Sequence, residues 1–303
     1  MALNYLVYNE RSSHTSDIFS IACTNDSIIS TSADGTVRYW DAATSELTST
    51  VDNAFKMSGH SLVAAEDTVI GAGFSGELKE FEPSSTAPGK DIAMTSDKDP
   101  VNWVVTLSPD AATIATTTSN GSLNVYDRAS KTLVANIETR GKFGLCVDYA
   151  PNNRFIASGH VDGGLYLFDT ELGKLKHAIS QTKTIRTVQF SPRSDLLAAA
   201  GASCGIAIFD VKTAEQVALL QGHSHEITTL AWNGSGELLL TGSVDGKVKL
   251  WHLGRKECVG TFTEGNGHKI WCVRWCKIGP QKAEGFVVGG SEKVLRFYLP
   301  QAA

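Results

Sequence analysis

Histidine, serine, aspartate and tryptophan recur with similar spacing at two places in the chain. The two groups are His14, Ser32, Asp34 and Trp40, and His223, Ser243, Asp245 and Trp251. A Ser–His–Asp grouping is the constellation that activates a serine nucleophile in hydrolases. Neither group is accompanied by a nucleophile elbow or by an oxyanion site, and the chain has no glycine-rich phosphate loop. We therefore expect no enzyme and no catalytic residues.

Six cysteines are spread along the chain without a Cys-x-x-Cys pair. Cys272 and Cys276 share an alternating apolar segment, so on a strand they would point the same way, about 13 Å apart. That separation is too large for one metal ion. We expect all six thiols to be reduced core residues, with no metal site and no cofactor.

Composition restricts the class of protein further. The chain has 303 residues, of which 42% are hydrophobic and 19% charged, with a net charge of −5. This is enough apolar material for a large core, and the negative charge disfavours a broad phosphate-binding surface. The chain has no apolar run of membrane-spanning length and no secretory leader pattern. We expect a soluble protein that binds neither membranes nor nucleic acid directly.

A repeated segment, in which a turn is followed by an alternating strand that ends in an aromatic residue, organises the whole chain. The aromatic residues are Trp40, Phe81, Tyr126, Phe168, Phe209, Trp251 and Phe297, separated by 41, 45, 42, 41, 42 and 46 residues. Apolar residues alternate with period two, and Asp-Gly or Asn-Gly turns separate the strands. A period near 40–45 with four strands per unit predicts an all-β, seven-bladed propeller that forms one domain over residues 1–303. A spare strand at residues 3–8 is expected to complete blade seven and close the ring.

The Gly222-His223 pair and Trp251, together with the recurring Ser and Asp, resemble the WD40 repeat. This resemblance implies that the two His, Ser, Asp and Trp groups form hydrogen-bonded chains that stabilise blades one and six. His60 does not fit, because it lies only 21 residues before Phe81, which places it in or beside an inner strand. His160 stands at the hydroxyl position of repeat four, where we expect a satisfied residue at the edge of the core.

A more specific string, Thr139-Arg140-Gly141-Lys142-Phe143, is similar to the WD-repeat subunit of the superkiller complex. The resemblance implies a scaffold, monomeric alone and present in two copies in its complex, that docks onto a tetratricopeptide subunit beside an RNA helicase. That assembly delivers messenger RNA to the cytoplasmic exosome for 3′-to-5′ decay. Fungal relatives also help a topoisomerase-like protein to make meiotic double-strand breaks, and animal relatives join a transcription-elongation complex. Cytoplasmic localisation is expected, with the nucleus as a second compartment.

One position at the top of each inner strand can be compared between repeats, with blade two left unassigned. It holds Phe19, Trp103, Phe143, Arg186, Thr228 and Trp271. Aromatic and arginine side chains are enriched in binding hot spots. An inner-strand aromatic residue can equally be core, but Arg186 and Thr228 at the same position favour an open site. The family resemblance transfers partner binding to this top face.

Two further choices stay open at this point. Arg140 and Lys142 lie near the same rim, either as partner contacts or as solvated surface. The alternative function is a generic WD40 adaptor, either a ubiquitin-ligase substrate receptor or a subunit of a transcription or chromatin complex. The second repeat also departs from the pattern, with a loop from Glu82 to Pro100 around one short outer strand.

Overall fold

The computed structural model describes residues 4–65, 68–82, 86–92, 101–264 and 267–301. Within these ranges, twenty-eight strands form seven four-stranded antiparallel sheets. The first strands of neighbouring sheets contact one another around a central channel, so each sheet is one blade of a ring. No helix in the described part of the chain is long and apolar enough to cross a bilayer.

The strands of blades one to four follow one another along the chain, from the innermost strand to the outermost. Blade one contains β2 (Ile18–Cys23), β3 (Ser27–Ser32), β4 (Val37–Asp41) and β5 (Leu47–Val51). Blade two contains β6 (Gly59–Ala65), β7 (Thr68–Gly73), β8 (Leu78–Phe81) and β9 (Lys90–Asp91). Blade three contains β10 (Asn102–Leu107), β11 (Thr113–Thr118), β12 (Leu123–Asp127) and β13 (Leu133–Ile137). Blade four contains β14 (Gly144–Tyr149), β15 (Phe155–His160), β16 (Gly164–Asp169) and β17 (Lys174–Ser180).

Blades five and six repeat this order, and blade seven takes its outermost strand from the start of the chain. Blade five contains β18 (Ile185–Phe190), β19 (Leu196–Gly201), β20 (Gly205–Asp210) and β21 (Gln216–Gln221). Blade six contains β22 (Ile227–Trp232), β23 (Leu238–Ser243), β24 (Lys247–His252) and β25 (Glu257–Thr263). Blade seven contains β26 (Ile270–Ile278), β27 (Ala283–Gly290), β28 (Val294–Pro300) and β1 (Tyr5–Ser12).

The ring closes where β1 pairs antiparallel with β28. Tyr5 lies opposite Pro300 and Ser12 lies opposite Val294, with one irregularity after Val7. This confirms the predicted fold class, a seven-bladed propeller closed by an N-terminal strand. The closing strand runs to residue 12 instead of residue 8, and residues 1–3 lie outside the described ranges. The start of the predicted domain at residue 1 therefore stays a prediction.

Blade two has the shortest outer strand of the seven blades. Only Lys90 and Asp91 of β9 pair with β8. This agrees with the short outer strand expected between Glu82 and Pro100, although residues 83–85 and 93–100 of that loop lie outside the described part of the chain.

Turns between the second and third strands lie at the face where the inner strands begin, which we call the top face. Gly121 has a φ of 92° in such a turn, and a Cβ atom there would lie 2.3 Å from the carbonyl oxygen of Gly141. Only glycine combines this backbone conformation with so close an approach. The turn therefore packs directly on the loop that leads into the next blade.

Apolar side chains pack between neighbouring blades as well as within each sheet. Phe155 and Leu167 of blade four form one cluster with Val188 and Phe209 of blade five. Burial of such side chains contributes about 1.5–3 kcal/mol each. Each blade supplies half of the apolar cluster that it shares with each neighbouring blade. The position of each inner strand therefore depends on both neighbouring blades.

Polar side chains also tie neighbouring inner strands together. The Ser20 hydroxyl of blade one accepts the backbone N–H of Leu62 in blade two at 3.0 Å. Asp148 of blade four accepts the backbone N–H of Phe190 in blade five at 2.8 Å. The channel-side edge of an inner strand has no neighbouring strand, and these bonds satisfy donors that would otherwise be unpaired.

A disulfide joins Cys23 of blade one to Cys276 of blade seven, with 6.2 Å between their Cα atoms. The expectation that all six cysteines are reduced was wrong for these two. Their separation of 253 residues gives no sign of proximity in the sequence. They become neighbours only because ring closure places the inner strands of the first and last blades side by side. The other four cysteines are free thiols.

Deletion of residues 1–9 should destabilise the whole ring. The deletion removes Tyr5, whose ring lies 5.2 Å from that of Phe286, and leaves the edge of β28 unpaired. We expect the melting temperature to fall by about 10 °C or more, with aggregation visible by light scattering. Leu6→Ser is the matched control, because Leu6 is 51% exposed on the same strand. An unchanged melting temperature of the deletion variant would contradict the closure.

Candidate functional site

A chain of hydrogen bonds runs through blade one near the top face. His14 Nδ1 lies 2.9 Å from Asp34 Oδ2, and His14 Nε2 lies 2.8 Å from the hydroxyl oxygen of Ser30. The same oxygen accepts the indole N–H of Trp40 at 3.0 Å. The corresponding residues of blade six are His223, Asp245, Thr241 and Trp251, with distances of 2.9, 2.8 and 2.8 Å.

The hydroxyl group in each chain differs from the one that the sequence indicated. Ser30 takes the place expected for Ser32, and Thr241 takes the place expected for Ser243. Residues two apart on a strand share a face but lie about 7 Å apart, so the indole of Trp40 reaches only the nearer hydroxyl. Ser32 and Ser243 instead donate to backbone carbonyls of the loops before the inner strands.

The protonation states of these groups fit a structural role. Burial lowers the pKa of His14 to about 4, because it outweighs the favourable effect of Asp34 on the imidazolium. Burial opposes ionisation of Asp34, but hydrogen bonds from Thr15 and Thr36 prevail and lower its pKa to about 2. A neutral His14 thus donates from Nδ1 to the carboxylate and accepts the Ser30 hydroxyl at Nε2. Ser30 is fully buried, so no substrate reaches it.

His160 makes a related connection in blade four. Its Nε2 atom lies 2.9 Å from the Ser158 hydroxyl, and its Nδ1 atom lies 2.7 Å from the carbonyl oxygen of Lys142. Burial lowers the pKa of His160, so the neutral ring donates from Nδ1 to that carbonyl. The side chain therefore fixes the top-face loop that precedes β14.

The inner strands share a β-bulge that shapes the top mouth of the channel. In each blade the inner strand has one residue more than its partner strand directly after the first paired residue. In blade three, Trp103 and Val104 together face Thr117, and Trp103 takes the position equivalent to the extra residue of the other blades. These seven extra residues all line a cavity of about 290 Å³. They are Phe19, His60, Trp103, Leu145, Arg186, Thr228 and Trp271. The bulge therefore presents one side chain per blade to the mouth.

Two of the seven positions differ from the sequence assignment. Blade four contributes Leu145 and not Phe143, because Gly144 is the residue that pairs with His160 before the bulge. Phe143 lies on the loop above, with its ring 4.8 Å from that of Trp103. Blade two, left unassigned from the sequence, contributes His60.

Aromatic rings form a continuous wall along one side of the mouth. Phe19 lies 6.2 Å from Trp271 and 5.5 Å from Phe74, and Phe74 lies 5.4 Å from Trp103, measured between ring centroids. Trp103 in turn contacts Phe143. All five rings are half-buried, so each keeps a surface open to solvent. We call these five residues the aromatic wall.

Phe74 of the aromatic wall was missed by the sequence analysis. It lies in the turn between β7 and β8, where the equivalent residue is Ala33 in blade one and Val161 in blade four. The signal in the sequence was a bulky aromatic residue at a position of the top-face turn where the other blades have small or aliphatic residues.

His60 lies within the wall, 4.6 Å from the ring of Phe74 and 4.4 Å from that of Trp103. Neither of its ring nitrogens has a hydrogen-bond partner of good geometry among the described residues. Burial lowers the pKa of His60 to about 4, against a weaker opposing effect of the Trp103 backbone. The ring is therefore neutral at physiological pH, and both of its nitrogens are buried within the wall.

The opposite side of the mouth is polar. Arg186 Nε donates to Glu226 Oε1 at 2.8 Å, and the Arg186 side chain is 46% exposed. Thr228 donates to the carbonyl oxygen of Ile270 at 2.5 Å. The mouth therefore combines an aromatic half and a charged half.

Arg140 and Lys142 are exposed on the loop that carries Phe143. The Lys142 backbone N–H donates to Asp162 at 3.3 Å, and Arg140 acts electrostatically on the Tyr166 hydroxyl. Both residues lie outside the set that lines the cavity. Whether Arg140 and Lys142 contact a partner or are solvated surface residues stays open.

Charged groups lie deeper in the channel. Burial raises the pKa of Asp148 to about 7, although the Phe190 N–H and the charge of Arg274 favour its ionised form. Burial likewise lowers the pKa of Arg274, which Asp148 opposes. No cluster of three or more His, Cys, Asp or Glu side chains that could hold a metal ion occurs among the described residues.

Comparison with known proteins places this architecture in a class. The WD domain, G-beta repeat, model matches residues 7–41 and 140–169. The model of the anaphase-promoting complex subunit 4 WD40 domain matches residues 188–278. Together with the seven blades, these matches define a WD40-repeat β-propeller, a class that typically serves as a protein-interaction scaffold.

Two relatives cover nearly the whole chain. One is the meiotic recombination protein rec14 of Schizosaccharomyces pombe, which is 38% identical over 100% of this chain and 99% of its own length. The other is a ribosome biogenesis protein WDR12 homolog of Trichoplax adhaerens, which is 24% identical over 96% of this chain and 74% of its own length. The chain belongs to the WD40-repeat family that includes the rec14 protein.

Thr241→Val tests the corrected hydroxyl assignment in blade six. The substitution keeps the shape of the side chain but leaves His223 Nε2 and the Trp251 N–H unpaired, so the free energy of unfolding should fall by about 1–3 kcal/mol. In a Trp251→Phe background the same substitution should cost less, because one of the two partners is already absent. Urea unfolding of the double-mutant cycle measures the difference. Thr263→Val, on the exposed outer strand, should change stability by no more than about 0.5 kcal/mol. Equal effects in both backgrounds would contradict the assignment.

Four buried histidines predict acid sensitivity. Burial lowers the pKa of His14 and His60 to about 4, and it also lowers the pKa of His160 and His223. The unfolded chain takes up these protons near pH 6.5 and the folded chain does not, so stability falls as the pH drops from about 6.5 to about 4. Asp148, with a pKa raised to about 7, has the opposite effect but is one group against four. Urea unfolding at several pH values measures the slope, which should be shallower in His160→Gln. A stability that stays constant or rises over this range would refute the prediction.

Proposed function

We propose that the chain is a non-catalytic scaffold that captures a segment of a protein partner at the top mouth of its channel. The observation that carries this proposal is the aromatic wall, whose five rings form one half-buried surface. Large, rigid aromatic rings in a concave site provide much contact area at little cost in side-chain entropy. This proposal keeps Phe19, Trp103 and Trp271 in the site, with Phe143 on its upper edge.

The two halves of the mouth define the chemistry of the segment. An apolar side chain of the segment would pack against the rings of the aromatic wall. Arg186 and Glu226 already pair with each other at 2.8 Å, so a charged group of the partner would join or replace that pair. A short segment that carries an apolar anchor and one charged residue fits both halves.

The proposed setting is meiotic recombination, supported by the 38% identity to rec14 over the full chain. There the scaffold would assist a topoisomerase-like protein in forming double-strand breaks, which requires a nuclear population. The second candidate is the superkiller complex, in which the scaffold would dock onto a tetratricopeptide subunit beside an RNA helicase for cytoplasmic messenger-RNA decay. The Thr139–Phe143 string supports this second role. A generic adaptor for a ubiquitin ligase or a chromatin complex is the remaining alternative.

Non-catalytic function is part of the proposal. The His, Asp and hydroxyl groups of blades one and six are paired with one another and buried. A nucleophile must be accessible to its substrate, and these hydroxyls are not. The groups stabilise blades, and this leaves binding as the function of the mouth.

Trp103→Glu/Trp271→Glu should abolish partner capture while the fold persists. Each substitution places a carboxylate in the aromatic wall, where an apolar anchor would leave it desolvated. Tagged wild-type and variant proteins are compared by affinity purification and mass spectrometry from dividing and from meiotic cells. Recovery of a topoisomerase-like protein supports the first setting, and recovery of a helicase with a tetratricopeptide protein supports the second. Recovery of a cullin assembly favours the adaptor alternative.

Leu133→Glu/Val134→Glu is the matched control, because these residues are 44% and 63% exposed on the outer strand of blade three. Its partners should be those of the wild type. Melting curves establish that the variants fold, and Arg186→Glu gives a second test at a residue with an exposed side chain. Unchanged partner recovery by the folded mouth variants would contradict the proposed site.

A further inference from the structure

A second concave surface lies between blades four and five, at the face opposite the channel mouth. It is formed by the turns that join β16 to β17, β18 to β19 and β20 to β21. In antiparallel blades these turns lie at the end of the sheet away from the top face. The surface encloses about 660 Å³, and we call it the bottom groove.

Apolar side chains form the floor and one wall of the bottom groove. Phe155 and Val211 are buried beneath it, whereas Leu172 is 67% exposed and Leu175 is 42% exposed. The turn that carries Leu172 is fixed, because Asp169 Oδ1 accepts the backbone N–H of Leu172 at 3.0 Å. An ordered turn therefore holds Leu172 in a fixed position beside Leu175, and together with the groove floor they form one apolar surface rather than a single exposed side chain.

The rim of the groove carries more positive than negative charge, although the whole chain has a net charge of −5. The cationic residues are Arg154, Lys174, Lys176 and Lys212, and the acidic residues are Asp169, Asp195 and Asp210.

The acidic side chains are engaged locally. Asp210 accepts the backbone N–H groups of Lys212 and Thr213, both at 2.8 Å, and Asp195 accepts the Ser191 hydroxyl at 2.7 Å. Lys174 is exposed and has no ion-pair partner within the described ranges. Arg154 Nε lies 3.6 Å from Asp169 and 3.7 Å from Glu171, so its charge is already paired. Lys212 is exposed as well and makes no ion pair among the described residues, so Lys174 and Lys212 are the cations that a ligand can pair with.

The aromatic ring in the groove is covered and not available for stacking. Lys176 Nζ lies 4.3 Å from the centre of the Phe155 ring, and the Arg154 guanidinium lies 5.4 Å from it. Phe155 itself is 7% exposed. Recognition of unpaired nucleic-acid bases relies on accessible aromatic faces, so the exposed leucines favour an aliphatic ligand over a nucleic acid.

We propose that the bottom groove binds an acidic segment of a protein partner through an aliphatic anchor against Leu172 and Leu175. Carboxylates that flank the anchor would pair with Lys174 and Lys212. This surface is separate from the channel mouth, so it goes beyond the proposed function and can be occupied while the mouth is occupied.

The test selects ligands for this groove directly. A displayed library of random dodecapeptides is selected on the full-length protein and counter-selected on Leu172→Ser/Lys174→Glu, a variant with an unaltered channel mouth. Peptides that bind at the mouth are removed by this step. We expect the remaining peptides to combine Asp or Glu with Leu or Ile.

Synthetic versions of these peptides, labelled with fluorescein, should bind the groove variant at least about tenfold more weakly than the wild type. Leu133→Ser/Lys131→Glu, on the edge of blade three, is the matched control and should bind within about twofold of the wild type. Binding should weaken as salt is raised, because exposed charges contribute to it.

Three outcomes overturn the proposal. The first is that no acidic, aliphatic peptide is enriched over the groove variant. The second is that the groove variant loses binding to a single-stranded oligonucleotide or to vesicles of anionic lipid but keeps peptide binding. The third is sedimentation evidence that the groove is covered by a second copy of the chain. None of these outcomes depends on the channel mouth, so the two proposals fail independently.

Discussion

The pairing of β1 with β28 is the interaction on which the rest of the structure depends. Neighbouring blades complete one another's apolar clusters and supply hydrogen-bond acceptors for one another's inner strands, so a blade without a neighbour lacks both. Blades one and seven become neighbours only when the ring closes. Arg296 of β28 strengthens this closure, because it donates to Glu10 of β1 at 3.0 Å and to the buried Glu264 at 2.5 Å. The Cys23–Cys276 disulfide joins blades one and seven within the apolar cluster between them.

A closed ring of this kind separates groups that stabilise it from groups that are free to bind. The residues with the most reactive potential are paired inside the blades, where burial keeps His14 neutral and hydrogen bonds keep Asp34 ionised. Such a buried polar network is stabilising only if every member is satisfied. At the bulge positions the requirement is weaker, because the extra residue has no strand partner. Side chains as different as Phe19 and Arg186 therefore occupy equivalent positions.

Repetition made most of the fold predictable from the sequence, since a period of 41–46 residues with alternating strands fits few architectures. The positions of side chains that depend on strand register were harder to predict from the sequence. Phe143 was assigned to the mouth in place of Leu145 because a bulge shifts the count within the inner strand. Ser32 was chosen over Ser30 because both hydroxyls share one face of β3, and only the reach of Trp40 distinguishes them.

Contacts between blades one and seven, where the ring closes, could not be predicted from the pattern of a single repeat. The Cys23–Cys276 disulfide and the contact of Phe19 with Trp271 join residues from opposite ends of the chain. Because the contact of Phe19 with Trp271 is part of the aromatic wall, the wall is continuous only in the closed ring. The wall follows the mouth from blade seven across the closure through blades one, two and three to blade four. The pair of Arg186 with Glu226 lies on the other side of the mouth. A ligand across the mouth would therefore meet unlike surfaces at its two ends, which fixes its direction without any moving part.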